Sequence, residues 1–177
     1  MKNSNNEIID RLCWTGETNR RLKFKDFNSR NFGSVKPLKG DVYQLLAADS
    51  LSNNTITMLC GKPGSGKTYL AFGYLFHALE RHEIDRIIVF CNPVVAKDAA
   101  KLGFYPGTKL EKLMESQVGA ILSSKLGDDT EVERLVNEGK LMLVPAGDAR
   151  GYEVPQHSGV YVMESQNLTC DLLRMLL

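Results

Sequence analysis

Gly61-Lys62-Pro63-Gly64-Ser65-Gly66-Lys67-Thr68 decides the fold. It fits G-x-x-x-x-G-K-[ST] at every defined position, the pattern of a phosphate-binding loop. The glycines let the backbone curl until successive N–H groups face one hollow, which suits phosphate oxygens. Lys67 is spaced to reach β- and γ-phosphates, and the Thr68 hydroxyl to ligate Mg²⁺. The apolar run Thr55-Ile56-Thr57-Met58-Leu59-Cys60 predicts a buried strand entering the loop. Residues 69–82 predict a helix leaving it, with Leu70, Phe72, Leu75, Phe76 and Leu79 on one face. Phosphates would then sit at that helix's N-terminus. All eight loop residues, together with Tyr69, are candidate nucleotide-binding residues.

From residue 42 onward, helix-like and strand-like segments alternate. Residues 42–51 predict a short helix, 84–91 a strand around Ile87-Ile88-Val89-Phe90, and 109–126 a helix. Residues 130–139 predict another helix, with Thr130 and Glu133 spaced as a capping box and Gly139 as its stop. Leu141–Val144 and Val160–Met163 read as further strands, and residues 168–177 as a final helix. Continuous apolar runs suit parallel strands buried on both faces, and their alternation with helices predicts an α/β protein. Residues 1–36 differ in character. Arg20, Arg21, Lys23, Lys25 and Arg30 alternate with Phe24, Phe27 and Phe32. That pattern reads either as an arm gripping a nucleic-acid strand or, as we favour, as a lead-in pinned by its aromatics. The domain reading is an arm over 1–36 and a core over 37–177.

Composition narrows the classes. With 43% hydrophobic and 24% charged residues the chain reads as an ordinary soluble domain. A net charge of +1 gives no bulk argument for nucleic acid or a membrane surface. No apolar run approaches the roughly 18–20 residues of a spanning helix. The four cysteines contain no C-x-x-C pair; Cys60 and Cys91 end apolar runs and read as buried thiols, with a cytoplasmic location expected. His77, His82 and His157 lack metal-ligand spacing.

A phosphate loop needs an acid to hold the Mg²⁺ shell and position water. Glu164, just past Val160-Tyr161-Val162-Met163, supplies one, and Gln166 is spaced to sense a γ-phosphate or the attacking water. Gln44, ahead of the loop, is a candidate adenine reader, as in helicase-like ATPases; the alternative is an exposed helix residue.

These residues carry a family resemblance. Residues 61–71 resemble the GPAGTGKTYLA motif of PhoH-like P-loop ATPases. Lys101-Leu102-Gly103-Phe104-Tyr105-Pro106-Gly107 is similar to that family's K-L-G-F-L-P-G, Arg150-Gly151 to its R-G dipeptide, and Glu164-Ser165-Gln166-Asn167 to the end of D-E-A-Q-N. The resemblance spans about residues 35–177. It implies a RecA-like, helicase-related P-loop NTPase fold with a mostly parallel sheet and helices on both faces. It implies binding of ATP with Mg²⁺ through Thr68 and Glu164, and hydrolysis with Lys67, Glu164 and Gln166 as catalytic residues. It also implies a homo-oligomer, hexameric in some members, and RNA or single-stranded nucleic acid as a partner.

Three departures stand out. Met163 occupies the position of the family's Asp, and Asn92 that of its Arg, with one residue inserted before Lys101. The sequence also stops about ten residues after Asn167, short of the family's C-terminal motifs, so an incomplete sheet is expected. Met163 and the early stop support a second reading: a non-catalytic nucleotide-binding module, or a truncated form whose assembly ATP controls.

Overall fold

Burial of one helix organises the first half of the molecule. The computed structural model describes residues 26–91, 122–124, 126 and 129–176, and the chain divides into two compact units, Met1–Glu80 and Arg81–Leu177. In the first unit, β1 (Phe27–Ser29) and β2 (Gly33–Val35) form an antiparallel hairpin in the register Phe27↔Val35. Helix α1 (Val42–Asn53) and helix α2 (Lys67–Glu80) follow. Alternation places Phe27 and Ser29 inward on β1 and leaves Asn28 out. Along α2, Leu70, Phe72, Leu75, Phe76 and Leu79 are all buried, the face the 3.6-residue period predicts.

The hairpin packs on α2. Phe32 stacks on Phe76 with ring centroids 5.2 Å apart, and Phe27 meets Tyr74 edge-on at 5.4 Å. Phe27 and Phe32 are buried, so neither offers a free ring for base stacking; Phe24 lies outside the described residues. Glu80, the last residue of α2, closes the hairpin turn. Its Oε1 accepts from Ser29 Oγ at 2.8 Å, Arg30 N at 2.6 Å and Asn31 N at 3.1 Å. Burial acts to raise the Glu80 carboxyl, but those donors and the Arg30 charge outweigh it and hold it below its ordinary value. His77 Nδ1 lies 2.8 Å from Asn28 O, which gives this histidine a structural role.

In the second unit, strands β3 (Arg86–Cys91), β4 (Leu141–Pro145) and β5 (Ser158–Val162) form a parallel sheet of order β4-β3-β5. The register pairs Ile87 with Leu141 and with Gly159. The central strand is buried from Ile87 to Cys91, as a strand covered on both faces requires. Helix α3 (Asp129–Asn137) packs on β4 through its buried Val132 and Leu135 side. On one sheet face Ile88, Phe90, Val144 and Ala149 form a cluster joined by Met142, Tyr152, Val162 and Leu176. The last of these belongs to helix α4 (Cys170–Leu176). The fold class is α/β with a parallel sheet, as expected.

Four expectations are corrected. Residues 55–60 form no strand. Thr57 Oγ1 instead donates to Ser50 O at the end of α1, and Ile56 and Met58 are exposed. A strand is defined by the ladder it joins, and residues 55–60 join none. Cys60 is consequently exposed, whereas Cys91 is buried and its thiol is pushed up to about 11 by burial. Thr130 is the second residue of α3 and so not its N-cap, although Gly139 ends the segment at φ +68°. The fourth strand ends at Val162, one residue earlier than expected. Of the helix expected over 109–126, only 122–124 and 126 are described, and these are helical.

The hairpin approaches α2 closely at Gly73. A Cβ there would lie 2.6–2.8 Å from the Val35 side chain. Alanine is the better helix former by about 1 kcal/mol. Even so, Gly73→Ala should destabilise the fold by about 1–3 kcal/mol through overpacking, read as a lowered unfolding midpoint. A raised midpoint would contradict this packing.

Candidate functional site

The turn 61–66 has the backbone its glycines allow. Gly64 and Gly66 take φ +77° and +85°, in the left-handed region where side chains are strained. A Cβ at Gly61 would sit 3.1 Å from Ser65 Oγ, so the loop closes on a residue with no side chain. Ser65 N donates to Lys62 O at 3.3 Å. The first helical bond of α2 runs from Leu70 N to Gly66 O at 2.9 Å. The backbone N–H groups of the helix's first turn have no intrahelical acceptor, and the helix dipole adds partial positive charge there. A narrow glycine-lined turn on a helix N-terminus fits phosphate oxygens.

Lys67 lies across this turn. Its Nζ donates to Gly61 O and Lys62 O at 2.9 Å each and approaches Ser65 Oγ at 3.4 Å. The ammonium therefore sits within the loop it was predicted to serve, bonded to two carbonyls that an anion would have to outcompete. Thr68 starts the second position of α2, and Pro63 shapes the exposed tip of the turn. Tyr69 turns away: its hydroxyl donates to Ser34 O at 3.4 Å and its ring packs near Phe32.

Gln44 is not a free helix residue. It lies in the first turn of α1, whose N-cap Asp41 accepts from Gln44 N at 3.0 Å. Its side chain joins two segments: Oε1 accepts from Leu38 N at 2.8 Å and Nε2 donates to Ser65 O at 3.2 Å. The sequence reading missed Asp41, although Asp-x-x-Gln before an apolar run is a helix-start signal.

In the second unit, Glu164 and Gln166 come together beyond β5. Gln166 Nε2 donates to Glu164 Oε2. Glu164 has φ 48° and ψ 44°, a left-handed conformation costing about 1–2 kcal/mol for a residue with a Cβ. The 3₁₀ turn Ser165–Asn167 follows it, with Asn167 N donating to Glu164 O at 2.9 Å. Met163 is buried, and its N–H continues the sheet to Phe90 O at 3.0 Å. Arg150 is exposed after the 3₁₀ turn Ala146–Ala149, next to Gly151 at φ +78°. Asn92 and residues 101–107 lie outside the described residues. Among the described residues, no cluster of three or more His, Cys, Asp or Glu could hold a metal, and no helix is long and apolar enough to cross a membrane.

The first unit thus carries a phosphate-type loop on a helix N-terminus, and the second a three-stranded parallel sheet. A family model for PhoH-like proteins matches residues 37–177. The PhoH-like protein of Mycobacterium tuberculosis is 30% identical over 155 residues, covering 86% of this chain and 42% of that protein. That of Bacillus subtilis is 32% identical over 130 residues, 72% and 40% of the two chains. Protein PhoH of Escherichia coli is 31% identical over 137 residues, 76% and 38%. The chain belongs to the PhoH-like family, a P-loop ATPase family, and spans about two fifths of these curated relatives.

The conformation of Glu164 gives a test of the acid side. Glycine relieves left-handed strain at a cost in unfolded-state entropy of about 0.5–1 kcal/mol. Glu164→Gly should therefore unfold at or above the parent's midpoint in thermal circular dichroism. A fall of many degrees would show that the backbone at 164 is not left-handed.

Proposed function

We propose that this chain binds ATP with Mg²⁺ and hydrolyses its γ-phosphate. The observation that carries the reading is the 61–68 turn, with left-handed glycines, Lys67 across it and a helix N-terminus behind it. The loop N–H groups and the Lys67 ammonium would hold the phosphates. The family resemblance makes the Thr68 hydroxyl and the Glu164 carboxylate the candidate metal ligands. When bound, Mg²⁺ neutralises charge developing on phosphate oxygens. Glu164 would also orient water for in-line attack, with Gln166 fixing the carboxylate through its hydrogen bond. A homo-oligomer and RNA or single-stranded nucleic acid are the partners that the family resemblance adds.

One observation favours a second reading, a nucleotide-binding module without turnover. Met163 is buried where the resemblance places the family's Asp, so a single acid stands at this strand end. ATP would then act as a structural ligand or an assembly switch.

Equilibrium ATP binding and Mg²⁺-dependent hydrolysis, in the parent and in Lys67→Ala, test both. Loss of a charge-assisted contact worth about 1.5–3 kcal/mol predicts roughly tenfold to hundredfold weaker binding in Lys67→Ala. ATP binding unchanged by that substitution would overturn the loop reading. Binding without turnover in the parent, with turnover appearing in Met163→Asp, would establish the second reading over the first.

A further inference from the structure

Gln44 approaches the phosphate loop at a peptide that matters. Its Nε2 donates to Ser65 O at 3.2 Å, and a Cβ at Gly66 would lie only 3.1 Å from that same nitrogen. Gly66 is favoured for its φ of +85°, and a Cβ there would also crowd the Gln44 amide. The orientation of the amide is determined by chemistry. Leu38 offers a donor N–H and Ser65 an acceptor carbonyl, so a flipped amide would set donor against donor and acceptor against acceptor. The backbone of Gln44 is itself held by the Asp41 cap.

A trans peptide is planar, and its C=O and N–H point in opposite directions. Fixing Ser65 O toward Gln44 therefore fixes the Gly66 N–H away from it. We propose that Gln44 is a positioning residue for the phosphate loop: its amide ties the Leu38 segment to the Ser65–Gly66 peptide and holds the Gly66 N–H ready for a phosphate oxygen. The inference rests on the proposed nucleotide site. It differs from adenine reading in that one N–H and one oxygen lone pair of the amide are already engaged by Ser65 O and Leu38 N, and its influence passes through the loop.

Inorganic tripolyphosphate separates the two roles, since it has phosphates and no base. Affinities for tripolyphosphate, ATP and GTP are measured by calorimetry in the parent, Gln44→Met and Gln44→Leu, with circular dichroism identifying the folded variants. Both replacements keep about the same bulk and remove both hydrogen bonds. A positioning role predicts about tenfold weaker tripolyphosphate binding, with ATP and GTP weakened by the same factor. Unchanged tripolyphosphate affinity with weakened ATP would overturn the inference in favour of base recognition, leaving the nucleotide site standing. Equal affinities for all three ligands in parent and variants would overturn it as well. A parent that binds neither ATP nor tripolyphosphate would overturn the proposed function and this inference together.

Discussion

Packing of the helix Lys67–Glu80 under the β1–β2 hairpin is the constraint on which the first unit depends. The helix serves two ends. Its N-terminus carries the 61–66 turn, and its C-terminal carboxylate closes the hairpin through Ser29, Arg30 and Asn31. Between them lies the apolar face from Leu70 to Leu79, where full burial of each large side chain contributes about 1.5–3 kcal/mol. Val35 reaches this helix because Gly73 has no side chain. The helix from which the loop departs is therefore anchored by packing well away from the loop itself.

Much of this was legible in residue order. The 3.6-residue period of Leu70, Phe72, Leu75, Phe76 and Leu79 identifies a helix and its buried face without reference to anything else. The run Ile87–Phe90 identifies a strand covered on both sides, and Gly139 a helix stop at positive φ. The loop was legible because its glycines are needed for backbone reasons that the sequence states directly.

What was not legible depends on partners distant in sequence. Thr55–Cys60 has the composition of a strand, but composition cannot say whether an edge is open, and here Ser50 at the end of the preceding helix takes the Thr57 hydroxyl. The clasp of Glu80 on the hairpin turn links positions about fifty residues apart. Gln44 was visible as a polar residue near the loop, yet its two-ended bridge depends on Leu38 and Ser65 meeting in space. Glu164 was visible as an acid after an apolar run, while its left-handed backbone follows from the turn that begins there.

The central claim is that the backbone N–H groups of the 61–68 turn receive phosphate. Amide hydrogen exchange of the peptide spanning that turn, with and without Mg-ATP, tests it most directly. The account predicts slowed exchange at Gly64 to Thr68 when nucleotide is present. Exchange there that does not change at saturating Mg-ATP would contradict it.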